Sequence, residues 1–217
     1  MRRSALASFD VEPSLLSVER ISRRFGDRQV VRSVDVTLEA GERLALLGPN
    51  GSGKTTLLRC VAGTLSPTTG RVLIAGHRAG TVEARRMLGA SLSQERSFYQ
   101  RLSGRANLVF FARIRHDDGN RPETVVDALV EELELGDIAA ERVDRCSTGM
   151  IQQLALARAL VGGPELLLLD EPTRSLDDAA VQRVWAALDR RPRLTLVVAT
   201  HSDADASRCH GSLVLPH

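Results

Sequence analysis

Lysine is nearly missing from this chain. Lysine and arginine together number 29, and the single lysine is Lys54. Arginine is a planar fork, whereas lysine is a compact point charge on a flexible stem, so a chain this biased keeps lysine where arginine cannot serve. Other scarcities exclude whole classes. Only three cysteines occur, Cys60, Cys146 and Cys209, with no CxxC or Cys/His pattern joining them. That spacing fits free thiols in a reducing compartment rather than a disulfide or zinc framework. The longest apolar runs, ELLLLD and LTLVVA, fall far short of the roughly 20 residues a membrane-spanning helix needs. The opening MRRSALASFDVEPS has two arginines but no sustained apolar stretch, and reads as a flexible leader over residues 1–14 rather than a signal peptide. A net charge of +2 is too small to suggest a nucleic-acid partner.

What remains is ordinary globular material, 43% hydrophobic and 26% charged over 217 residues, enough for one domain with a real core. Short strand-like runs at Leu15–Ile21, Gln29–Val31, Val34–Leu38 and Arg43–Leu47 are divided by turns at Gly26-Asp27 and Ala40-Gly41. A helix follows over Thr55–Ala62, a strand around RVLIA, a short helix in TVEARRM and a short strand in ASLSQ. Residues from Ser97 to Leu135 read as mostly helical, with Pro122 suited to a first turn and Gly136 to a helix end. Beyond them come a helix from Thr148, a buried strand at Leu166–Leu169, a helix over Ala179–Leu188, a buried strand at Leu194–Ala199 and a last strand near Leu213–Leu215. This order predicts an α/β fold with a largely parallel sheet, an antiparallel N-terminal layer and an inserted helical subdomain.

The segment GPNGSGKTT, Gly48 to Thr56, satisfies G-x-x-x-x-G-K-[ST] between a strand and a helix. Gly48, Pro49, Asn50, Gly51, Ser52 and Gly53 would turn backbone N–H groups inward around a polyphosphate. The following helix N-terminus adds its dipole. Lys54 would reach the β- and γ-phosphates, with Thr55 and Thr56 opening the helix and the Thr55 hydroxyl facing Mg²⁺. The buried run ELLLLDEP ends in two carboxylates, and alternation along a strand sends them in different directions. Asp170 suits Mg²⁺, and Glu171 suits a general base that polarises water.

With these motifs in order, the chain resembles the nucleotide-binding subunits of ATP-binding-cassette (ABC) transporters, with a P-loop NTPase (RecA-like) core. The resemblance covers nearly all of Leu15–Leu215 and implies one domain over 15–217, its core at 15–94 and 151–217 and its helical subdomain at about 95–150. It implies further site residues. Gln94 would contact Mg²⁺ and the attacking water, His201 would sense the γ-phosphate, Phe25 would stack on adenine, and the SLD segment ending at Asp177 would line the nucleotide. The place of the LSGGQ signature falls on Cys146-Ser147-Thr148-Gly149-Met150. Only Ser147 and Gly149 match, yet a hydroxyl and free N–H groups on a helix N-terminus are what a γ-phosphate contact requires.

The resemblance further implies ATP and Mg²⁺ as ligands. It implies a homodimer or heterodimer of ATPase subunits, and a separately encoded transmembrane permease that holds the subunit peripherally at the cytoplasmic face of the membrane. A turn ending Ser-Gly-Met is similar to the variant of type-2 export systems, which points to export. Phe98, Tyr99, Phe110 and Phe111 crowd the helical insert, where they could dock the permease or form a small local core. Two other readings stay open: a non-transport ABC ATPase, and a low-turnover regulatory subunit whose divergent signature serves a heterodimer.

Overall fold

The computed structural model describes residues 14–92, 98–115 and 121–216. Two sheets organise it. A four-stranded antiparallel sheet has the order β2-β1-β4-β5, from β1 (Leu16–Phe25), β2 (Arg28–Leu38), β4 (Thr69–Ile74) and β5 (His77–Arg78). A five-stranded parallel sheet has the order β6-β7-β8-β3-β9, from β3 (Arg43–Leu47), β6 (Leu88–Ser91), β7 (Leu166–Asp170), β8 (Thr195–Ala199) and β9 (Gly211–Val214).

The parallel sheet is buried on both faces, and β7 shows why a run of four leucines suits it. Leu166 and Leu168 pack with α1 (Lys54–Val61) and the antiparallel sheet, while Leu167 and Leu169 pack with α6 (Thr148–Leu160) and α7 (Asp178–Asp189). All four are fully buried, as expected of a strand covered on two sides. Between β6 and α6 lie α3 (Gly104–Arg115), α4 (Pro122–Glu132), α5 (Gly136–Ala140) and a single 3-10 turn at Val143–Arg145. A two-residue strand and the six-residue α2 (Val82–Met87) complete the connection from β4 to β6. Four-residue α8 (Asp203–Ala206) follows β8. No helix among the described residues is long and apolar enough to cross a membrane.

Three expectations change. The runs at 29–31 and 34–38 are one strand, β2, carried through an irregularity at Ser33. Ser33 adopts φ 42° and donates its N–H to Ser22 Oγ at 2.9 Å, so a side chain fills the gap in the ladder. Gly136 does not end α4; it opens α5, and Glu134 takes the left-handed turn instead, at φ 54°. The short strand β6 begins at Leu88, two residues ahead of ASLSQ.

Candidate functional site

The C-terminal ends of β3, β7 and β8 lie side by side in the parallel sheet, the edge where ligands of open α/β sheets bind. Each strand delivers one part of the site. From β3 the chain enters the phosphate loop. Gly53 sits at φ 99°, and a Cβ there would lie 2.6 Å from the carbonyl oxygen of Val30, so only glycine fits against β2. Lys54 is 7% exposed, and its ammonium donates to Gly48 O at 2.6 Å and Pro49 O at 3.2 Å and meets His201 Nε2 at 3.1 Å. Three partners match the three N–H bonds of an ammonium, and a planar guanidinium could not address all three from this stem.

From β7 comes Asp170, whose Oδ2 accepts the Thr55 hydroxyl at 2.6 Å. Glu171 follows at φ 52°, a left-handed conformation that costs a non-glycine residue on the order of 1–3 kcal/mol. Two contacts hold it there. Its N–H donates to Ala199 O at 2.8 Å, and Gln152 Nε2 donates to the carbonyls of Glu171 and Pro172, both at 3.1 Å.

From β8 comes His201, with Nε2 placed 3.4 Å from Glu171 Oε1 and 2.9 Å from Asn50 Oδ1. Toward Lys54 this nitrogen must accept; toward Asn50 Oδ1 and Glu171 it must donate. One nitrogen cannot do both at once, so the tautomer of His201 selects its partner.

These groups line one open cleft of about 730 Å³, together with Asn50, Gly51, Gly53, Thr56, Arg28, Val30, Thr148, Arg174 and Ser175. Ser52 Oγ is buried inside the loop without a hydrogen-bond partner. An orphaned buried hydroxyl is costly. Within the cleft itself, Gly51, Gly53 and the Lys54 ammonium fit a polyphosphate. Thr55 Oγ1 and Asp170 Oδ2 are hard oxygen donors of the kind Mg²⁺ takes.

The signature segment is built differently. Ser147 caps α6, accepting the Met150 N–H at 3.2 Å, while Met150 Sδ accepts the Ser147 N–H at 3.4 Å. This is a capping box with sulfur in the return position usually held by Glu or Gln. Because the Ser147 oxygen already accepts, its O–H remains to donate. A Cβ at Gly149 would lie 2.6 Å from Ser175 O, so the glycine lets the loop before α7 press on the helix N-terminus. Burial first, then Glu141 and Asp144, push the Cys146 thiol up, which disfavours its thiolate. Burial pushes Cys60 up as well, and Cys209 to about 11.

Other predicted residues are dispersed. Phe25 is 48% exposed at the end of β1, with the Arg23 guanidinium 4.4 Å from its ring centroid, and lies outside the walls of the cleft. Asp177 caps α7, accepting the Ala180 N–H at 2.7 Å. Gln94 lies outside the described residues. The four aromatics divide: Phe98 is buried and Phe111 packs against the same core, whereas Tyr99 and Phe110 are exposed and stack edge to face at 4.9 Å.

Sequence reasoning missed Gln152 and Asp205. Gln152 is hidden in an Ala/Leu helix where its polarity looks incidental. Asp205 has an indirect signal: the only tryptophan, Trp185, needs a buried acceptor, and Asp205 Oδ1 provides it at 2.9 Å.

The chain is similar to known proteins over most of its length. The sequence profile described as "ABC transporter" matches residues 31–174. A sulfate/thiosulfate import ATP-binding protein of Synechococcus elongatus is 34% identical over 203 residues, covering 92% of this chain and 59% of that protein. A Nod factor export ATP-binding protein of Rhizobium johnstonii is 35% identical over 206 residues, covering 93% and 66%. The chain therefore spans roughly six tenths of the length of these relatives. An import protein and an export protein match almost equally, so identity does not separate the two directions. The solved structure of a dimeric bacterial ABC transporter cassette superposes with a TM-score of 0.83 at 23% identity, covering 93% of this chain and 94% of that one, which establishes the shared fold. By its sequence, this chain belongs to the ABC transporter family of ATP-binding proteins.

Proposed function

We propose that this chain is the ATP-hydrolysing subunit of a transporter, driving movement of a solute through a separate transmembrane permease. One observation carries the reading. Lys54, the Thr55–Asp170 pair and the Glu171–His201 pair, from three strand ends and one helix, converge on a single cleft. In this reading Lys54 exchanges the loop carbonyls of Gly48 and Pro49 for the β- and γ-phosphates. Glu171 accepts a proton from water aimed at the γ-phosphorus, and His201, beside it, holds the γ-phosphate oxygen. Bound Mg²⁺ on Thr55 and Asp170 would neutralise phosphate charge.

The second half of the site comes from another subunit. The α6 N-terminus, with the free Ser147 O–H and the N–H groups near Gly149, suits a γ-phosphate held by a partner's phosphate loop. Two subunits would close head to tail around two ATP molecules and reopen after hydrolysis, peripherally at the cytoplasmic face of the membrane. Exposed Tyr99 and Phe110 offer the permease an anchor. Export is the direction favoured by the Ser147–Met150 turn. Phe25, Gln94 and Asp177 complete the nucleotide contacts in the closed state.

The test is steady-state ATP turnover alongside nucleotide binding. Glu171→Gln keeps ATP affinity and loses turnover by on the order of 10²–10⁴-fold, the usual worth of a general base. Wild-type turnover by that variant would refute the mechanism.

A further inference from the structure

Asp205 is a carboxylate 1% exposed, outside the groups assigned to the chemistry above. Burying a carboxylate costs several kcal/mol unless its oxygens are satisfied. Three donors satisfy this one: Thr173 Oγ1 at 2.6 Å and Thr200 Oγ1 at 3.2 Å on Oδ2, and Trp185 Nε1 at 2.9 Å on Oδ1. The origins of these donors are informative. Thr173 lies two residues beyond Glu171, at the exit of β7. Thr200 immediately precedes His201, at the exit of β8. Trp185 belongs to α7, the helix that begins on Asp177.

The carboxylate itself is well anchored. Asp205 N–H donates to Ser202 Oγ at 3.3 Å, and Ser202 N–H donates to Thr200 Oγ1 at 3.0 Å, closing the β8 exit into a tight turn. An apolar side chain could fill this space at lower desolvation cost. It could not accept hydrogen bonds from two loops and a helix at once.

We propose that Asp205 is a positioning residue for hydrolysis. It ties the Glu171 loop to the His201 loop so that Glu171 Oε1 and His201 Nε2 stay 3.4 Å apart, and it couples both loops to α7 through Trp185. The inference rests on the reading of Glu171 and His201 as hydrolytic groups. Since a misplacement of about 1 Å can cost about 10²-fold in rate, loosening this node should act on turnover and leave nucleotide binding to the phosphate loop intact.

The experiment is a double variant, Thr173→Val with Thr200→Val, which preserves shape and removes both hydroxyls. Turnover, nucleotide Kd and the emission of Trp185, the only tryptophan in the chain, are measured with and without ATP. The proposal predicts kcat lower by about tenfold or more with Kd within about twofold. It also predicts an ATP-dependent change in Trp185 emission in the wild type that the double variant loses. Adding Asp205→Asn to the double variant should lower kcat little further, because one node has already been cut. Unchanged kcat, or a fall in kcat matched by an equal weakening of Kd, overturns the proposal. Glu171→Gln and His201→Ala run in the same assay: if those two turn over at the wild-type rate, the functional reading fails instead.

Discussion

On the phosphate-loop side, Lys54, Thr55, Asp170, Glu171 and His201 hold one another at 2.6–3.4 Å, on the exits of β7 and β8 and the first turn of α1, around a sheet buried on both faces. On the signature side, Ser147, Thr148 and Met150 sit on a helix N-terminus where the hydroxyl and sulfur of a capping box do the holding. The first half depends on particular side chains, and there the family motif is intact. The second supplies mainly backbone N–H groups and one hydroxyl. There, Thr148 and Met150 depart from LSGGQ without loss of the cap. Side chains that carry chemistry leave little room for exchange; a helix terminus leaves more.

The largest effect should come from replacing the one lysine. Lys54→Arg keeps the charge but cannot serve the same three partners, and should weaken ATP binding by at least about 10²-fold, roughly 3 kcal/mol, in a binding titration. An arginine that binds normally would break the argument from lysine scarcity. Next, Ser147→Arg should reduce turnover by about 10²-fold or more while ATP affinity stays within about twofold. Normal turnover would mean that the signature half is dispensable.

Gly149→Ala probes the close approach to Ser175. A Cβ 2.6 Å from that carbonyl should cost about 1–3 kcal/mol, seen as a fall in Tm of roughly 2–10 °C. Smaller still is the cap. Met150→Leu removes the sulfur acceptor and should cost about 0.5–1 kcal/mol, whereas Met150→Gln, with an oxygen acceptor, should cost less. The smallest effect is on thiol reactivity. A Cys209 thiol pushed up to about 11 forms thiolate only as pH rises through that value, so the native protein should resist iodoacetamide at Cys209 near pH 8.

Much of the phosphate-loop half was legible because its side chains obey a spacing rule and end strands of recognisable apolarity. The parallel sheet was legible for the same reason: runs such as Leu166–Leu169 can be buried on both faces. What escaped depends on contacts distant in sequence. Ser33 continues β2 only because Ser22 Oγ accepts its N–H. Gly136 sits where a helix could end or begin, and the left-handed turn at Glu134 decides it. Asp205 lies in HSDADASRCH, where nothing local sets it apart from Asp203; only the fold brings Thr173, Thr200 and Trp185 around it.

A nucleotide site shared between two subunits should make the Glu171→Gln variant dimerise on ATP and Mg²⁺, which sedimentation measures. The expected result is a dimer with ATP, a monomer without it, and a monomer under both conditions once Ser147→Arg is added. A Glu171→Gln protein that stays monomeric with saturating ATP, or one that dimerises equally well with Ser147→Arg, would contradict it.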